Sequence, residues 1–295
     1  MAEGQTLMSI LIRELLSNYQ TNSKEDLKHA ALEIIQEIVL LGLSKSDFFQ
    51  KAVFYGGSAL RIIHQLDRFS EDLDFSLMEK DAHFNLQNYF DPIQQSLQAY
   101  GFQMELNIKE KTGFSPIQSA FLKGNTQKHL INVFPSKPKL SFSSNDLLKV
   151  KLELDTDPPS GASTEIKYLL SPLPFSVRAY SLSSILAGKI HALLCRKWKN
   201  RVKGRDFFDY LWLLSRSVPV DLNHLEQRLK QSGNLKKELR LDRDGLLKLL
   251  KIRFTELDYH QAIKDVYAFT ERTYDFSVWS YELFWQVTQD KLQLA

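Results

Sequence analysis

The chain has 295 residues, of which 43% are hydrophobic and 25% are charged, and this composition excludes an intrinsically disordered protein. Its 38 basic and 35 acidic residues give a net charge of +3, so the overall charge does not by itself indicate a nucleic-acid-binding protein. The single cysteine, Cys195, excludes an internal disulfide and a zinc site built from cysteines. No apolar run approaches the roughly 20 residues of a membrane span, and the first residues lack the pattern of an export signal, so we expect a cytoplasmic protein.

Apolar residues at helical spacing predict a pair of helices near the N-terminus, at residues 7–15 and 27–41. From Phe54 to about Asp155 the pattern changes to short strand-like runs around one long helical stretch at residues 83–100. This alternation is typical of an α/β domain. The strand-like runs are VFYGG, DLDFSL, FQMELNI, HLINVF and KVKLELD.

Two proline-bearing stretches, at residues 157–161 and 171–175, follow the strand-like region, and the rest of the chain has a helical pattern. The predicted fold class is therefore α/β (α+β), with a mixed sheet followed by a mainly α-helical domain. The predicted domains are N-terminal helices at residues 1–45 that pack on the core, the sheet domain at residues 46–160, and the helical domain at residues 161–295.

A glycine pair and a serine, Gly56, Gly57 and Ser58, lie where a strand-like run ends and a helical pattern begins. Glycine lets the backbone approach a ligand closely, and a serine cap leaves the N–H groups and the positive dipole end of the helix directed at an anion. We expect these residues to bind phosphate. Gly-Gly-Ser also occurs as a plain turn, so the prediction depends on the neighbouring motif.

Asp72 and Asp74 lie two residues apart in an alternating strand pattern, so their side chains share one face of the strand. Leu73, Phe75 and Leu77 then point into the core. Two carboxylates held side by side repel each other unless a cation lies between them, and their hard oxygen atoms favour Mg²⁺ or Mn²⁺. The alternative is an exposed sheet face that carries acidic residues.

A third carboxylate is available in the segment LLKVKLELDTD, where apolar and charged residues alternate. If this strand lies beside that of Asp72, either Glu153 or Asp155 reaches the same metals and completes the three acids of two-metal phosphoryl transfer. The spacing does not choose between them, although Glu153 is favoured because it lies inside the strand and Asp155 adjoins the proline turn. An ordinary amphipathic strand is the alternative.

Lys189 and Arg196 lie seven residues apart on one face of a predicted helix with serine caps, and both could contact triphosphate oxygens. Asp206 and Asp209 lie three residues apart on the next helical turn. Asp206 either orients Lys189 or a base, or caps its helix.

A basic segment with one aromatic residue follows Cys195, and it combines backbone neutralisation with a stacking surface for a polynucleotide end. The alternative is a solvated loop. The candidate RNA-binding residues are Lys197, Trp198, Lys199, Arg201, Lys203 and Arg205, next to Arg196.

Together these segments resemble the AbiEii/AbiGii toxin family, a branch of the DNA polymerase β-like nucleotidyltransferase superfamily. The family pattern Gly-Gly-Ser/Thr-Ala-Leu-Arg, followed by Arg-Phe-Ser-Glu-Asp-Leu-Asp-Phe, is met at residues 56–61 and 68–75. Two later family motifs, Lys-Ile-His-Ala-Leu and Arg-Asp-x-x-Asp, are similar to residues 189–193 and 205–209. The resemblance covers the chain from about residue 54 to residue 214.

In the family, the first element binds nucleotide phosphate and metal, and the later lysine and aspartate are needed for activity. The resemblance therefore carries these roles to Ser58, Asp72, Asp74, Lys189 and Asp206, whereas Lys151-x-Glu153 is a looser match. The candidate catalytic residues are Asp72, Asp74, Glu153, Lys189 and Asp206; the candidate phosphate-binding residues are Gly56, Gly57, Ser58, Arg68, Lys189 and Arg196; the candidate metal ligands are Asp72, Asp74 and Glu153.

The residues themselves support metal-dependent attack of a hydroxyl group on the α-phosphate of a nucleoside triphosphate, with pyrophosphate as the leaving group. Glu153 completes the site and assists deprotonation of the acceptor, and Lys189 neutralises phosphate charge. The resemblance implies more: an RNA acceptor such as the 3′ end of tRNA, a cognate antitoxin as partner, and a role in a toxin–antitoxin or phage-defence system.

Two other functions compete with this one. The acceptor could be a small molecule or a protein hydroxyl, in which case neutralising the basic segment would spare the reaction. The chain could instead be a catalytically silent module whose nucleotide pocket gates association with a partner. Loss of an acid would favour the silent module, but Asp72 and Asp74 are both present.

Overall fold

The computed structural model describes residues 11–19, 23–108, 116–125, 147–197, 202–270 and 274–295. Its strands are β1 (Ala52–Tyr55), β2 (Asp72–Leu77), β3 (Glu105–Ile108), β4 (Ile117–Asn125), β5 (Leu147–Asp155), β6 (Thr164–Leu169) and β7 (Phe175–Tyr180). Its helices are α1 (Lys24–Ser44), α2 (Phe48–Lys51), α3 (Gly56–His64), α4 (Phe90–Ala99), α5 (Leu182–Cys195), α6 (Gly204–Ser215), α7 (Leu222–Gln231), α8 (Arg243–Thr255), α9 (Tyr259–Tyr267) and α10 (Tyr281–Lys291). In these ranges, no helix has the length and apolar character needed to cross a membrane.

The strands of the described ranges form one seven-stranded sheet in the order β3-β4-β5-β2-β1-β7-β6. Strand β2 runs antiparallel to β1 and parallel to β5, β1 runs parallel to β7, and β4 runs antiparallel to both β3 and β5. The predicted α/β fold class with a mixed sheet is therefore confirmed. Because β2 has a paired strand on each side, its side chains are held in a fixed register.

The chain forms two compact units. The sheet unit comprises Met1–His64, Ser70–Pro158 and Ile166–Ala179, and the helical unit comprises Gln65–Phe69, Pro159–Glu165 and Tyr180–Ala295. The short segment directly after α3 thus belongs to the helical unit, although strand β2, which follows it, belongs to the sheet unit. The division of the chain into domains at residues 45 and 160 stays a prediction.

One face of the central strands is apolar and buried. Leu73 and Phe75 of β2 and Leu152 and Leu154 of β5 are all fully buried. The ring of Phe75 packs edge-on against that of Phe48, with 5.1 Å between centroids. Since side chains alternate along a strand, burial of this set turns the charged residues between its members to the opposite face.

The sequence pattern does not predict β4, β6 or β7. Strands β6 and β7 fall in the proline-bearing region, and β6 exposes the apolar side chains of Ile166 and Tyr168, so its pattern does not indicate a core strand. The predicted strand HLINVF, at residues 129–134, lies outside the described residues. The predicted helical stretch at residues 83–100 is a 3-10 turn at Leu86–Tyr89 followed by α4.

A carboxyl group with a raised pKa lies in helix α1 of the sheet unit. Ser171 Oγ donates a hydrogen bond to Oε2 of Glu37 at 2.6 Å. Burial raises the pKa of Glu37 to about 7, although the bond from Ser171 acts in the opposite direction. The folded protein therefore keeps Glu37 protonated at pH values where the unfolded chain ionises it.

We predict that Glu37→Gln removes a pH dependence of stability. The free energy of unfolding of the wild type should fall as the pH rises from about 4.5 to about 7, because only the unfolded state then releases the proton. The variant, which keeps an acceptor for Ser171, should be the more stable protein above pH 7 by up to about 3 kcal/mol and equal to the wild type near pH 4. Urea denaturation at a series of pH values measures this difference, and a difference that does not vary with pH would contradict the prediction.

Candidate active site

The predicted acids lie on one face of the sheet unit. In the parallel pairing of β2 with β5, Asp72 is opposite Lys151 and Asp74 is opposite Glu153. Residues that are directly opposite point to the same side of a sheet, so Asp72, Asp74 and Glu153 share the polar face together with Lys151. Strand register thus assembles residues that are about 80 positions apart in the sequence.

The glycine turn lies on the same side of the sheet as Asp74. Gly56 is the first residue of α3 and has a φ of +84°, a left-handed conformation that favours glycine. A Cβ atom at Gly56 would collide with the Asp74 carboxylate, because Oδ2 of Asp74 lies directly against this backbone. The Asp74 carboxylate therefore lies against the N-terminal end of α3, as expected if the two form one site.

The prediction that Ser58 caps helix α3 is wrong. The helix already begins at Gly56, so Ser58 is its third residue. Its buried hydroxyl instead donates a hydrogen bond to the backbone carbonyl of Asp72 and ties the first turn of α3 to β2. A phosphate contact by Ser58 stays a prediction, and the backbone N–H groups of this turn are the available donors for it.

Register also distinguishes the two candidates for the third acid. Glu153 is opposite Asp74, whereas Asp155 is opposite Ser76, one alternation further along the strand. Oδ1 of Asp155 accepts a hydrogen bond from the N–H of Asp157 at 3.0 Å, as is typical of an Asx turn. The structure thus places Glu153, rather than Asp155, beside the paired aspartates.

A lysine that was not predicted as a site residue lies among the acids. Nζ of Lys151 is 2.6 Å from Oε1 of Glu153. Burial by itself lowers the pKa of Lys151, but the hydrogen bond to Glu153 and the charges of Glu153, Asp72 and Asp74 outweigh burial and raise the pKa above its usual value. Lys151 is therefore a permanent positive charge within the acidic face.

The three acids do not form a preformed metal cage. Among the described residues, no three His, Cys, Asp or Glu side chains are grouped so that they could hold a metal ion. Asp72 and Asp74 nevertheless supply hard oxygen ligands, and Mg²⁺ is commonly held by one or two carboxylates together with substrate phosphates and water. The residues thus fit an ion that binds together with a triphosphate.

The later motifs form a charged cluster within the helical unit. The guanidinium group of Arg68 binds Asp209 through two hydrogen bonds of 2.6 Å. Nζ of Lys189 lies 2.6 Å from Oδ2 of Asp209 and 3.5 Å from Oδ1 of Asp206. Arg196 approaches Asp206 at 3.3 Å. Two carboxylates thus fix Lys189, and Asp206 orients it rather than capping helix α6.

The expected phosphate contact of Arg68 is not what the structure shows. The side chain is 3% exposed, two of its hydrogen bonds go to the Asp209 carboxylate, and a third goes to the carbonyl of Phe69. Burial by itself raises the pKa of the Asp209 carboxyl, but the attraction of Arg68 and Lys189 outweighs it and holds that pKa below its usual range. Asp209 was given no role from the sequence, although the Arg-Asp-x-x-Asp spacing marks it.

The basic segment is only partly described. Trp198, Lys199 and Arg201 lie outside the described residues, so their predicted RNA contact stays a prediction. Lys197 is exposed. Lys203 is partly buried, and this burial lowers its pKa. The predicted RNA contacts of both lysines stay predictions.

Arg205, the last candidate of the basic segment, packs inside the helical unit. Its guanidinium lies over the ring of Phe269 at 3.7 Å, and its Nε is 3.6 Å from Asp265. Arg205 is thus engaged within the helical unit, and its contact with RNA stays a prediction.

Two aspartates on one strand face, beside the glycine-led N-terminus of a helix, are the arrangement expected of a nucleotidyltransferase. The model of the nucleotidyl transferase AbiEii toxin family of type IV toxin–antitoxin systems matches residues 38–287. Because this match spans most of the chain, the chain belongs to the AbiEii family and is a nucleotidyltransferase.

Two solved structures from Helicobacter pylori are similar to this chain. One is JHP933, with 16% identity, coverage of 90% of this chain and 89% of that chain, and a TM-score of 0.47. The other is provisionally described as a nucleotidyltransferase, with 18% identity, coverage of 90% and 92%, and a TM-score of 0.46. No curated protein matches the chain.

We predict that Gly56→Ala displaces Asp74 and lowers nucleotidyl transfer, with Gly233→Ala as the matched control. Both glycines have a positive φ, but a Cβ at Gly233 meets nothing within 4 Å. Both variants should lose about 1–2 kcal/mol of stability through backbone strain. Only Gly56→Ala should also lose activity, measured at a temperature where both variants are folded; equal activity in the two would contradict the proposed position of Asp74.

We predict that Asp209→Asn destabilises the protein by roughly 3–5 kcal/mol, because it leaves the buried Arg68 without its counter-ion. Glu238→Gln removes an exposed carboxylate of the same unit and should change stability by less than about 0.5 kcal/mol. Since the folded pKa of Asp209 is lowered, its contribution is present above about pH 4 and is lost as the pH falls, so the difference should narrow in acid. Denaturant unfolding at pH 7 and pH 3.5 tests both statements.

Proposed function

We propose that this nucleotidyltransferase transfers a nucleoside monophosphate from a nucleoside triphosphate to a hydroxyl group at the 3′ end of an RNA. The family resemblance points to tRNA as the acceptor, to the toxin role in a toxin–antitoxin or phage-defence system, and to a cognate antitoxin as partner. One observation carries the proposed chemistry: the Asp74 carboxylate lies against the N-terminal residue of α3 and opposite Glu153 in the sheet.

In the proposed reaction, Asp72 and Asp74 hold Mg²⁺ or Mn²⁺. The bound ion supplies positive charge to the phosphate oxygens. The backbone N–H groups at Gly57 and Ser58 receive the outgoing phosphates, because the first N–H groups of a helix have no partner within it. Proximity of this helix end to Asp74 keeps the phosphate and carboxylate subsites adjacent.

In the transfer step, one bond to the α-phosphorus forms, another breaks, and the chain supplies an acceptor for the released proton. The acceptor hydroxyl oxygen forms a bond to the α-phosphorus, the bond from that phosphorus to the oxygen bridging to the β-phosphate breaks, and pyrophosphate leaves with the bonding electrons. The hydroxyl proton passes to the Glu153 carboxylate, whose Oε1 atom contacts the ammonium group of Lys151. Lys151 thus orients the base with a contact of 2.6 Å.

The resemblance assigns Lys189 and Asp206 to the same activity. In the helical unit, Asp206 and Asp209 both contact the ammonium group of Lys189, and 12% of the lysine side chain remains exposed. We propose that this exposed ammonium group neutralises triphosphate charge, aided by Arg196, whose side chain is 42% exposed.

We predict that Asp74→Asn lowers transfer of label from a radiolabelled nucleoside triphosphate to RNA by roughly a thousandfold or more, because it removes a charge from the reacting centre. Glu105→Gln changes an exposed acid on another strand of the same sheet and should keep wild-type activity. Each of the four triphosphates is incubated with total RNA, and labelled RNA is identified by sequencing its 3′ ends. Chelation should stop the reaction, and Mg²⁺ or Mn²⁺ should restore it.

The labelling experiment and a calorimetric titration together separate the alternatives. Label on a protein or a small molecule, with none on RNA, would replace the proposed acceptor but keep the chemistry. Nucleotide binding in calorimetry without consumption under any acceptor would indicate a silent, nucleotide-gated module. Either result would contradict the proposed RNA-directed function.

A further inference from the structure

A groove beside Asp72 is lined by lysines and one aromatic ring. The cavity has a volume of about 240 Å³ and lies entirely within the sheet unit. We call it the lysine groove and define it by Lys28 of α1, Phe121 of β4, and Lys149 and Lys151 of β5. Glu71 and Asp72 also line the groove, and none of the phosphate-binding residues predicted from the sequence does.

Strand register makes the groove continuous with the acidic face. Phe121 is opposite Lys151, which is in turn opposite Asp72, so the three form one row across β4, β5 and β2. Lys149, Lys151 and Glu153 share one face of β5 at two-residue steps of about 6.6 Å each. A chain of phosphates that lies along β5 would therefore reach the proposed base, Glu153, at its end.

Two lysines of the groove have no carboxylate partner among the described residues. The ion pairs of Lys51, Arg61, Lys80 and Lys151 with acids in the sheet unit involve neither Lys28 nor Lys149. Nζ of Lys149 instead lies 4.3 Å from the ring centroid of Phe121. A base that stacks on this half-exposed ring would displace the Lys149 ammonium group and leave that group for a backbone phosphate.

The acids separate the groove from the glycine turn. Strand β1, which leads into α3, lies on one side of β2, and strands β5 and β4 lie on the other. If the triphosphate binds at α3, then the acceptor approaches the acids from the side of β5 and β4. Attack and departure on opposite sides of the phosphorus suit this arrangement, since the two oxygens are roughly in line.

We propose that the lysine groove binds the 3′-terminal stretch of a single-stranded RNA acceptor, with phosphates on Lys28 and Lys149 and a base stacked on Phe121. This inference rests on the proposed function, because Glu153 marks the reacting end of the strand. A single aromatic ring suits unpaired, splayed bases rather than a duplex, and it implies little preference for the base that stacks.

The test measures fluorescence anisotropy of a labelled single-stranded RNA of about twelve nucleotides, within the size range of such sites, on the full chain across a salt series. Each of Lys28→Ala and Lys149→Ala should make the negative slope of log K against log salt shallower by about 0.7. Phe121→Ala should weaken binding about five- to tenfold with an unchanged slope. Lys80→Ala, which removes an exposed lysine of the same unit, is the control, and it should leave both the affinity for RNA and the slope close to the wild-type values. Lys149→Arg should restore the slope.

The outcomes separate this inference from the proposed function. Wild-type affinity and slope in the groove variants, or no RNA binding by the wild type at low salt, would overturn the inference. Loss of affinity for a non-hydrolysable triphosphate in calorimetry, with RNA binding intact, would assign the groove to the triphosphate and also overturn it. RNA binding that depends on the groove, without label transfer to any RNA, would support the inference and contradict the proposed function. Melting temperatures confirm that each variant is folded.

Discussion

Electrostatic repulsion among the three acids of the polar sheet face is the constraint that the rest of the sheet unit has to satisfy. Parallel pairing puts Asp74 beside Glu153, where like charges destabilise a sheet. Lys151 and the N-terminal end of α3 each supply compensating positive charge or dipole. The buried leucine and phenylalanine side chains of the other face hold the register, because a slip by one residue would bury the charges.

The helical unit satisfies a related constraint by different means. Arg68 and Lys189 share the buried carboxylate of Asp209, so two cations meet one anion, and Asp206 supplies the second negative charge. The arginine is fully enclosed, whereas the lysine keeps part of its surface exposed. The enclosed pair of Arg68 and Asp209 thus fixes the carboxylate that holds the Lys189 ammonium group.

Part of this architecture follows from the sequence and part does not. Alternation over DLDF and KLEL predicts acids on one face because the side-chain period of a strand is independent of its partners. The partner of Arg68 is 141 positions away, so no local pattern reveals it. Lys151 resembles any exposed strand lysine until register places it between acids. Strand β6 is not predicted because Ile166 and Tyr168 are exposed. The role of Ser58 differs from the prediction because helix α3 starts two residues earlier than its sequence pattern suggests.

The hidden hydroxyl of Ser58 has a mechanical consequence. Its hydrogen bond joins the first turn of α3, the proposed phosphate site, to the main chain of β2, the strand that carries Asp72 and Asp74, and so couples their positions. A ligand that orders the helix end or the strand then reduces the conformational entropy that is lost when a second ligand binds at the other element. Thermodynamic linkage requires this coupling to be reciprocal. The cation should therefore raise the affinity for the nucleotide by the same factor as the nucleotide raises the affinity for the cation.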